Sequence, residues 1–154
     1  MARYRRSTVL DASLAEVWDV HASVEGLQSV TPDWTGLDIV DIRQPPGGTG
    51  TSMVEGTEIV IKLRPFGIVP GGRFVSRITA LEEDDKRAMF RDELVSGPVP
   101  YWIHTHRFVD LGFGTLLFDQ VDYELAGPLP GTILTPALSA LFAYRHWRLG
   151  RQLG

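Results

Sequence analysis

The chain has 154 residues, no cysteine, 44% hydrophobic residues and a formal net charge of -4. That length favours one domain, spanning residues 1–154, with a core of its own; the lack of cysteine excludes disulfides, thiolate metal sites and cysteine nucleophiles. The acidic balance argues against a nucleic-acid partner, no run approaches the ~20 apolar residues of a membrane span, and the basic start Met1–Arg6 lacks the apolar stretch of a signal peptide, so a cytoplasmic location is expected.

Tyr4–Leu10, rich in Thr and Val, reads as a strand. Ser13-Leu14-Ala15-Glu16 then has the capping-box pattern, in which the Ser hydroxyl and the Glu carboxylate each accept from the other residue's amide. Leu14, Val17, Trp18 and His21 follow at helical spacing, which gives a helix with one apolar face and a His at its end. A second short helix is predicted over Val24–Val30, stopped by Thr31-Pro32.

From Leu37 the period changes to two. Leu37–Ile42 reads as a strand, Gln44–Gly50 as a turn region and Thr51–Leu63 as a further strand. Pro65–Gly72 is a connection with an apolar tip; Phe66, Ile68 and Val69 there are costly in water unless they cover something. Closure of a cavity mouth and a homodimer contact both fit. Strands are predicted over Arg73–Leu81, Arg87–Val95, Tyr101–Val109 and Thr115–Leu125. Thr135-Pro136 then starts a long helix, with Leu134, Leu138, Leu141, Phe142, Arg145 and Leu149 on one stripe and basic residues toward its carboxyl end. The predicted class is α+β, a curved seven-stranded antiparallel sheet with two short helices and one long helix across a cavity. Such a shape suits a hydrophobic small-molecule ligand.

The segment Tyr101–Leu125 holds the densest set of chemically useful side chains. Alternation puts Trp102, His104, His106 and Phe108 on one face and Tyr101, Ile103, Thr105, Arg107 and Val109 on the other. With the turn centred near Gly112, His106 opposes Phe118, Thr105 opposes Asp119, and Arg107 lies diagonal to Asp119. Leu117, Asp119, Val121, Tyr123 and Leu125 make the more apolar face of their strand, so that face is expected to line the cavity. Arg107 and Asp119 would then pair at its wall, beside Ile103 and Val121, with Tyr123 as a further polar tip. The same pair also reads as a plain cross-strand ion pair.

His104 and His106 project the same way, and Asp122 or Glu124 offers a third metal ligand on the matched face. The spacing is common, a half-exposed sheet face is the simpler account of the two histidines, and neither a metal nor a cofactor is expected. Arg91, Asp92 and Glu93 lie on a neighbouring strand. An enclosed carboxylate there would serve as a general acid or base, whereas an outer-face charge cluster is the simpler account.

Several stretches carry a family likeness. They are Ser13–Trp18 with Leu27 and Thr31-Pro32; Phe90-Arg91-Asp92-Glu93 with Gly97-Pro98; Trp102–Phe108 with Gly114-Thr115; Asp119–Tyr123; and Phe142-Ala143-Tyr144-Arg145. Together they resemble the START-like and Bet v 1-like superfamily (SRPBCC proteins), in particular its polyketide cyclase/dehydrase and coenzyme-Q-binding-like branches. The resemblance implies a helix-grip fold and binding, or transport, of a lipid, polyketide, isoprenoid or quinone. The alternative it implies is a cyclase- or dehydratase-type enzyme acting on a bound aromatic or polyketide-like substrate. The expected ligand contacts are Arg107, Asp119, Tyr123, Ile103 and Val121 on the sheet, Leu138, Leu141 and Phe142 on the long helix, and Phe66 at the mouth. No catalytic residue is singled out.

Overall fold

In the computed structural model, which describes residues 1–67 and 72–153, the first predicted strand forms as β1 (Ala2–Leu10). The capping box at Ser13 opens α1 (Leu14–His21): the Glu16 amide donates to Ser13 Oγ at 3.2 Å and the Ser13 amide donates to Glu16 Oε2 at 3.0 Å. A second short helix, α2 (Val24–Ser29), is capped by the Ser23 hydroxyl. Then come β2 (Asp38–Arg43), β3 (Glu58–Leu63), β4 (Gly72–Glu83), β5 (Arg87–Ser96), β6 (Tyr101–Asp110), β7 (Thr115–Glu124) and the long α3 (Thr135–Leu153).

Among the described residues, seven strands form one antiparallel sheet in the order β1-β7-β6-β5-β4-β3-β2. Register shifts occur between Ile39 and Asp41, between Val75 and Ser76, and between Ile78 and Ala80. Extra residues of this kind bend a strand and tighten its twist, which curves the sheet. The two short helices link its two edge strands, and α3 follows β7. On α3, Leu138, Phe142, His146 and Leu149 are buried, one residue about every helical turn. No helix among the described residues is long and apolar enough to cross a membrane.

Two expectations about strands need correction. The strand expected from Thr51 begins only at Glu58. Gly56, at a φ of 95°, breaks the extended path, and backbone groups before it pair outside the sheet, as the Met53 amide does with the Ala22 carbonyl at 2.9 Å. The second correction matters more. Asp110 pairs with Thr115, which leaves a four-residue turn, Leu111–Gly114. His106 therefore opposes Asp119, His104 opposes Val121, and Arg107 opposes Phe118. A register change of one residue exchanges the faces of a whole strand, so the Trp102–Phe108 set, rather than the Arg107 set, shares the inner face with Asp119.

The buried apolar side chains fall into two clusters. One gathers Val17, Val24, Phe90, Phe108, Leu117 and Leu149 beneath α1 and α2. The other joins Val121 and Tyr123 to Leu138 and Phe142. Asp119 sits on β7 between Leu117 and Val121, at the seam of the two.

Candidate functional site

Between the inner face of the sheet, α2 and α3 lies a cavity of about 420 Å³, which is within the range of small-molecule pockets. Its walls are mainly aliphatic and aromatic, with Leu27 and Val30 from α2 and its end, Ile59 and Ile78 from the sheet, and Leu138 and Leu141 from α3. Among the described residues, the ionisable side chains that reach it are His21, Asp92, His104, His106 and Arg145.

Period-two alternation explains how the polar groups enter an otherwise apolar wall. On β5, Phe90, Asp92 and Leu94 point inward together; on β6, Trp102, His104 and His106 do so. Asp92 and His104 are direct cross-strand partners, as are His106 and Asp119. Behind the two histidines, Asp119 is 2% exposed. Its Oδ1 lies 2.8 Å from His104 Nε2 and its Oδ2 lies 2.6 Å from His146 Nε2. His106 Nδ1 stands 3.1 Å from Oδ1, out of line for a hydrogen bond. On the cavity side, His106 Nε2 is 3.1 Å from Asp92 Oδ2, and Asp92 Oδ1 accepts from the Ser76 hydroxyl at 3.3 Å. The rings of His104 and His106 lie 3.6 Å apart, and Phe90 stacks on His106 at 3.8 Å.

Burial alone would push the Asp119 carboxyl up, but the imidazoles of His104, His106 and His146 around it outweigh burial and hold the group well below the usual carboxylate range. The same contest, with His106 as the main partner, holds Asp92 down. Burial pulls His106 down, yet the two carboxylates beside it win and raise it above the ordinary imidazole value. His104 is lowered by burial and by its neighbour His106.

His21 is the extreme case. Burial, and then the charge on His106, bring it down to about 3, against a smaller upward pull from the Val17 carbonyl, 2.8 Å from its Nδ1, and from Asp119; Arg145 adds a small further downward push. The native state thus keeps His21 neutral where the unfolded chain takes up a proton below about pH 6.5. In that interval the unfolded state binds more protons, so stability falls as the pH falls. We expect His21 to cost the fold about 1.4 kcal/mol per pH unit well below pH 6.5. Urea melts at pH 6 and 4.5 check this: His21→Leu should lose less stability than the wild type over the interval, and equal losses would contradict a neutral buried His21.

The structure distributes the expected contact residues unevenly. Leu138, Leu141 and Phe142 line the cavity. Asp119, Val121 and Tyr123 are on the inner face and buried, but behind the lining; the Tyr123 hydroxyl donates to the Gly131 carbonyl at 2.7 Å. Arg107 and Ile103 belong to the outer face: Arg107 is exposed over the Phe118 ring, and the Arg107–Asp119 pair does not form. Asp122 and Glu124 are likewise on that outer face, opposite Ile103 and Tyr101, so neither can be a third ligand beside the histidines. His104 and His106, expected on a half-exposed face, are 5% and 2% exposed. Asp92, expected in an outer cluster, faces the cavity, while Arg91 reaches the Thr105 hydroxyl on the other side. Phe66 is 71% exposed and stacks on Trp34, which lines the cavity together with Pro65. Ile68 and Val69 lie outside the described residues.

Two participants, His146 and His21, have no role in the sequence reading, and Asp92 has only that of an alternative acid or base. Asp92 stands between Phe90 and Leu94 in strict alternation, a usable sign that it points inward. His146 is four residues from Phe142 on the buried stripe of α3, and His21 is four residues from Val17 on the apolar face of α1. Those spacings mark the two histidines as inward-facing without showing what they meet.

Residues 10–143 match the family described as polyketide cyclase/dehydrase and lipid transport. The chain belongs to this family. Solved structures share its fold. A START superfamily protein from Mycobacterium smegmatis is 17% identical, with a TM-score of 0.70 over 98% of this chain and 96% of that one. A major latex-like protein from Panax ginseng is 12% identical, with a TM-score of 0.68 over 99% and 97%. A norcoclaurine synthase point mutant from Thalictrum, in complex with a transition-state analogue, is 15% identical, with a TM-score of 0.66 over 99% and 93%. Identities this low establish the helix-grip fold alone. Among curated proteins, none matches the chain in sequence.

Proposed function

We propose that this cyclase/dehydrase and lipid-transport family member binds a hydrophobic or amphipathic small molecule of the lipid, polyketide, isoprenoid or quinone class. The observation that carries this reading is the distribution of polarity in the cavity. An aliphatic and aromatic chamber of about 420 Å³ carries the His104 and His106 imidazoles and the Asp92 carboxylate together on β5 and β6. Apolar walls supply affinity through burial, at about 25 cal/mol per Å² of apolar surface removed from water, and the polar patch orients one end of the ligand. The family description, which includes lipid transport, supports the same reading.

A thermal-shift panel of long-chain fatty acids, prenylated quinones and aromatic polyketides tests it. A ligand that binds only the folded state at 100 times its Kd adds about 2.7 kcal/mol, which for a domain of this size raises Tm by roughly 5–11 °C. Leu141→Trp, which fills the chamber from α3, should abolish the shift. No shift across the panel would count decisively against the proposal.

A second reading, a cyclase- or dehydratase-type reaction on the bound molecule, draws support from the ionisable groups that meet the ligand inside the chamber. Product formation by the wild type, lost in Asp92→Asn while the thermal shift persists, would favour it.

A further inference from the structure

We propose that Asp92, His104 and His106 form a binding site for a divalent transition-metal ion at the polar floor of the cavity. The three side chains come from paired positions on β5 and β6, and one ligand atom from each lies within 4.8 Å of the other two. The proposal holds whatever molecule fills the chamber.

The hydrogen-bond pattern leaves one nitrogen of His104 free. Ionised Asp119 only accepts, so His104 Nε2, 2.8 Å from Asp119 Oδ1, carries the ring hydrogen. Its Nδ1 is left with a lone pair, and that atom lies 3.7 Å from Asp92 Oδ2. His106 differs: its Nδ1 is 3.1 Å from Asp119 Oδ1 but out of line for a hydrogen bond, and its Nε2 hydrogen-bonds Asp92 Oδ2 at 3.1 Å, so a metal ion would take the place of that Nε2 hydrogen. A carboxylate placed behind an imidazole is the arrangement that orients a metal-binding histidine and raises its basicity. Here one carboxylate backs two histidines, and His146 Nε2 holds that carboxylate from α3 at 2.6 Å.

Electrostatics and spacing both favour a cation in the gap. The His104 Nδ1 lone pair and the ionised Asp92 oxygen face one gap, and His106 Nε2 joins them as a third donor once it gives up its hydrogen; positive charge in the gap offsets their mutual repulsion. A proton on His106 relieves one of the two contacts with Asp92, whereas a metal ion satisfies all three groups. Zinc-type bonds of about 2.0–2.2 Å at tetrahedral angles place neighbouring ligand atoms about 3.4 Å apart. The distances from Asp92 Oδ2 to the two nitrogens, 3.1 and 3.7 Å, lie on either side of that value. The rings are held in place before any ion arrives: Phe90 stacks on His106, and Phe142 meets His104 edge-on at 5.1 Å. Two imidazoles and one carboxylate suit Zn²⁺ or Fe²⁺, with the remaining coordination positions open to the cavity. A ligand oxygen or a water would take them.

The test uses the full chain, stripped with a chelator and titrated with Co²⁺ as a visible-absorbing probe in equilibrium dialysis. One Co²⁺ per chain, displaced by Zn²⁺, is expected. Asp119→Asn, which touches none of the open positions, should weaken binding by roughly 10–100-fold, and Asp92→Asn by at least as much. Anomalous scattering from Co²⁺ in wild-type crystals decides the matter independently of how any variant folds. A peak about 2.0–2.2 Å from Asp92 Oδ2, His104 Nδ1 and His106 Nε2 would establish the site. Absence of stoichiometric binding, or a peak away from these atoms, would overturn it.

Discussion

Asp119→Ala should destabilise the protein by about 3–5 kcal/mol, the cost of removing one partner from a buried charge network. The carboxylate is 2% exposed and has His104, His106 and His146 around it. Without it, the buried ring N–H groups of His104 and His146 have no acceptor, and His106 loses one of the two anions that favour its charged form. Typical domains have only 5–15 kcal/mol in total, so much of the stability is at stake. Asp119→Asn keeps the shape and one acceptor oxygen and should lose less. Urea melts at pH 7 measure both losses. A change below 1 kcal/mol in the alanine variant would show that the three rings find other partners and that the network is not held by this carboxylate.

Phe142→Ala should cost a similar amount, about 3–5 kcal/mol, through a different mechanism. Phe142 is 1% exposed, stacks on Tyr4 at 5.5 Å and meets His104 edge-on at 5.1 Å. Removing the ring deletes its apolar burial and enlarges a chamber that the same residue already lines. The variant should therefore melt earlier without ligand, yet be stabilised by bulkier apolar ligands than the wild type tolerates. Calorimetry with and without a graded series of aromatic ligands checks both halves. A loss under 1 kcal/mol would mean that the neighbouring helix collapses into the gap.

Most of the fold was legible because it rests on local patterns. The capping box at Ser13, the change of period after Leu37 and the stripe from Leu138 to Leu149 each mark an element through its own residues. Thr51–Thr57 departs from the expected strand because Thr51 and Met53 bond to the Ala22–Val24 segment, and Ser52 and Thr57 to the Gln44 side chain, in place of a continuous strand ladder. The site was less legible, and one residue explains why. A hairpin turn of four residues rather than an odd number sets His106, not Thr105 or Arg107, on the same inner face as Asp119. Asp119, Val121 and Tyr123 are buried, in keeping with the apolarity of their β7 face, but stand behind the cavity lining rather than in it. The β6 face was inverted because two histidines look polar by composition while they are paired and enclosed in space. Composition reports what a side chain prefers when alone; it does not report the carboxylates that meet it.

The outermost strand pairing has a consequence for how the molecule is made. β1 joins the sheet only through β7, with Ala2 opposite Tyr123 and Leu10 opposite Thr115, and the Thr115 hydroxyl donates to the Ala12 carbonyl. On a ribosome, the nine residues of β1 therefore wait for their β7 partner until more than a hundred further residues have emerged. Closing so distant a pair carries a large entropic toll before any contact rewards it, so maturation should be slow compared with helical proteins of the same size. Throughout that wait β1, basic at Arg3, Arg5 and Arg6, keeps positive charge along an edge that lacks its β7 partner, a feature that discourages sticking to other chains.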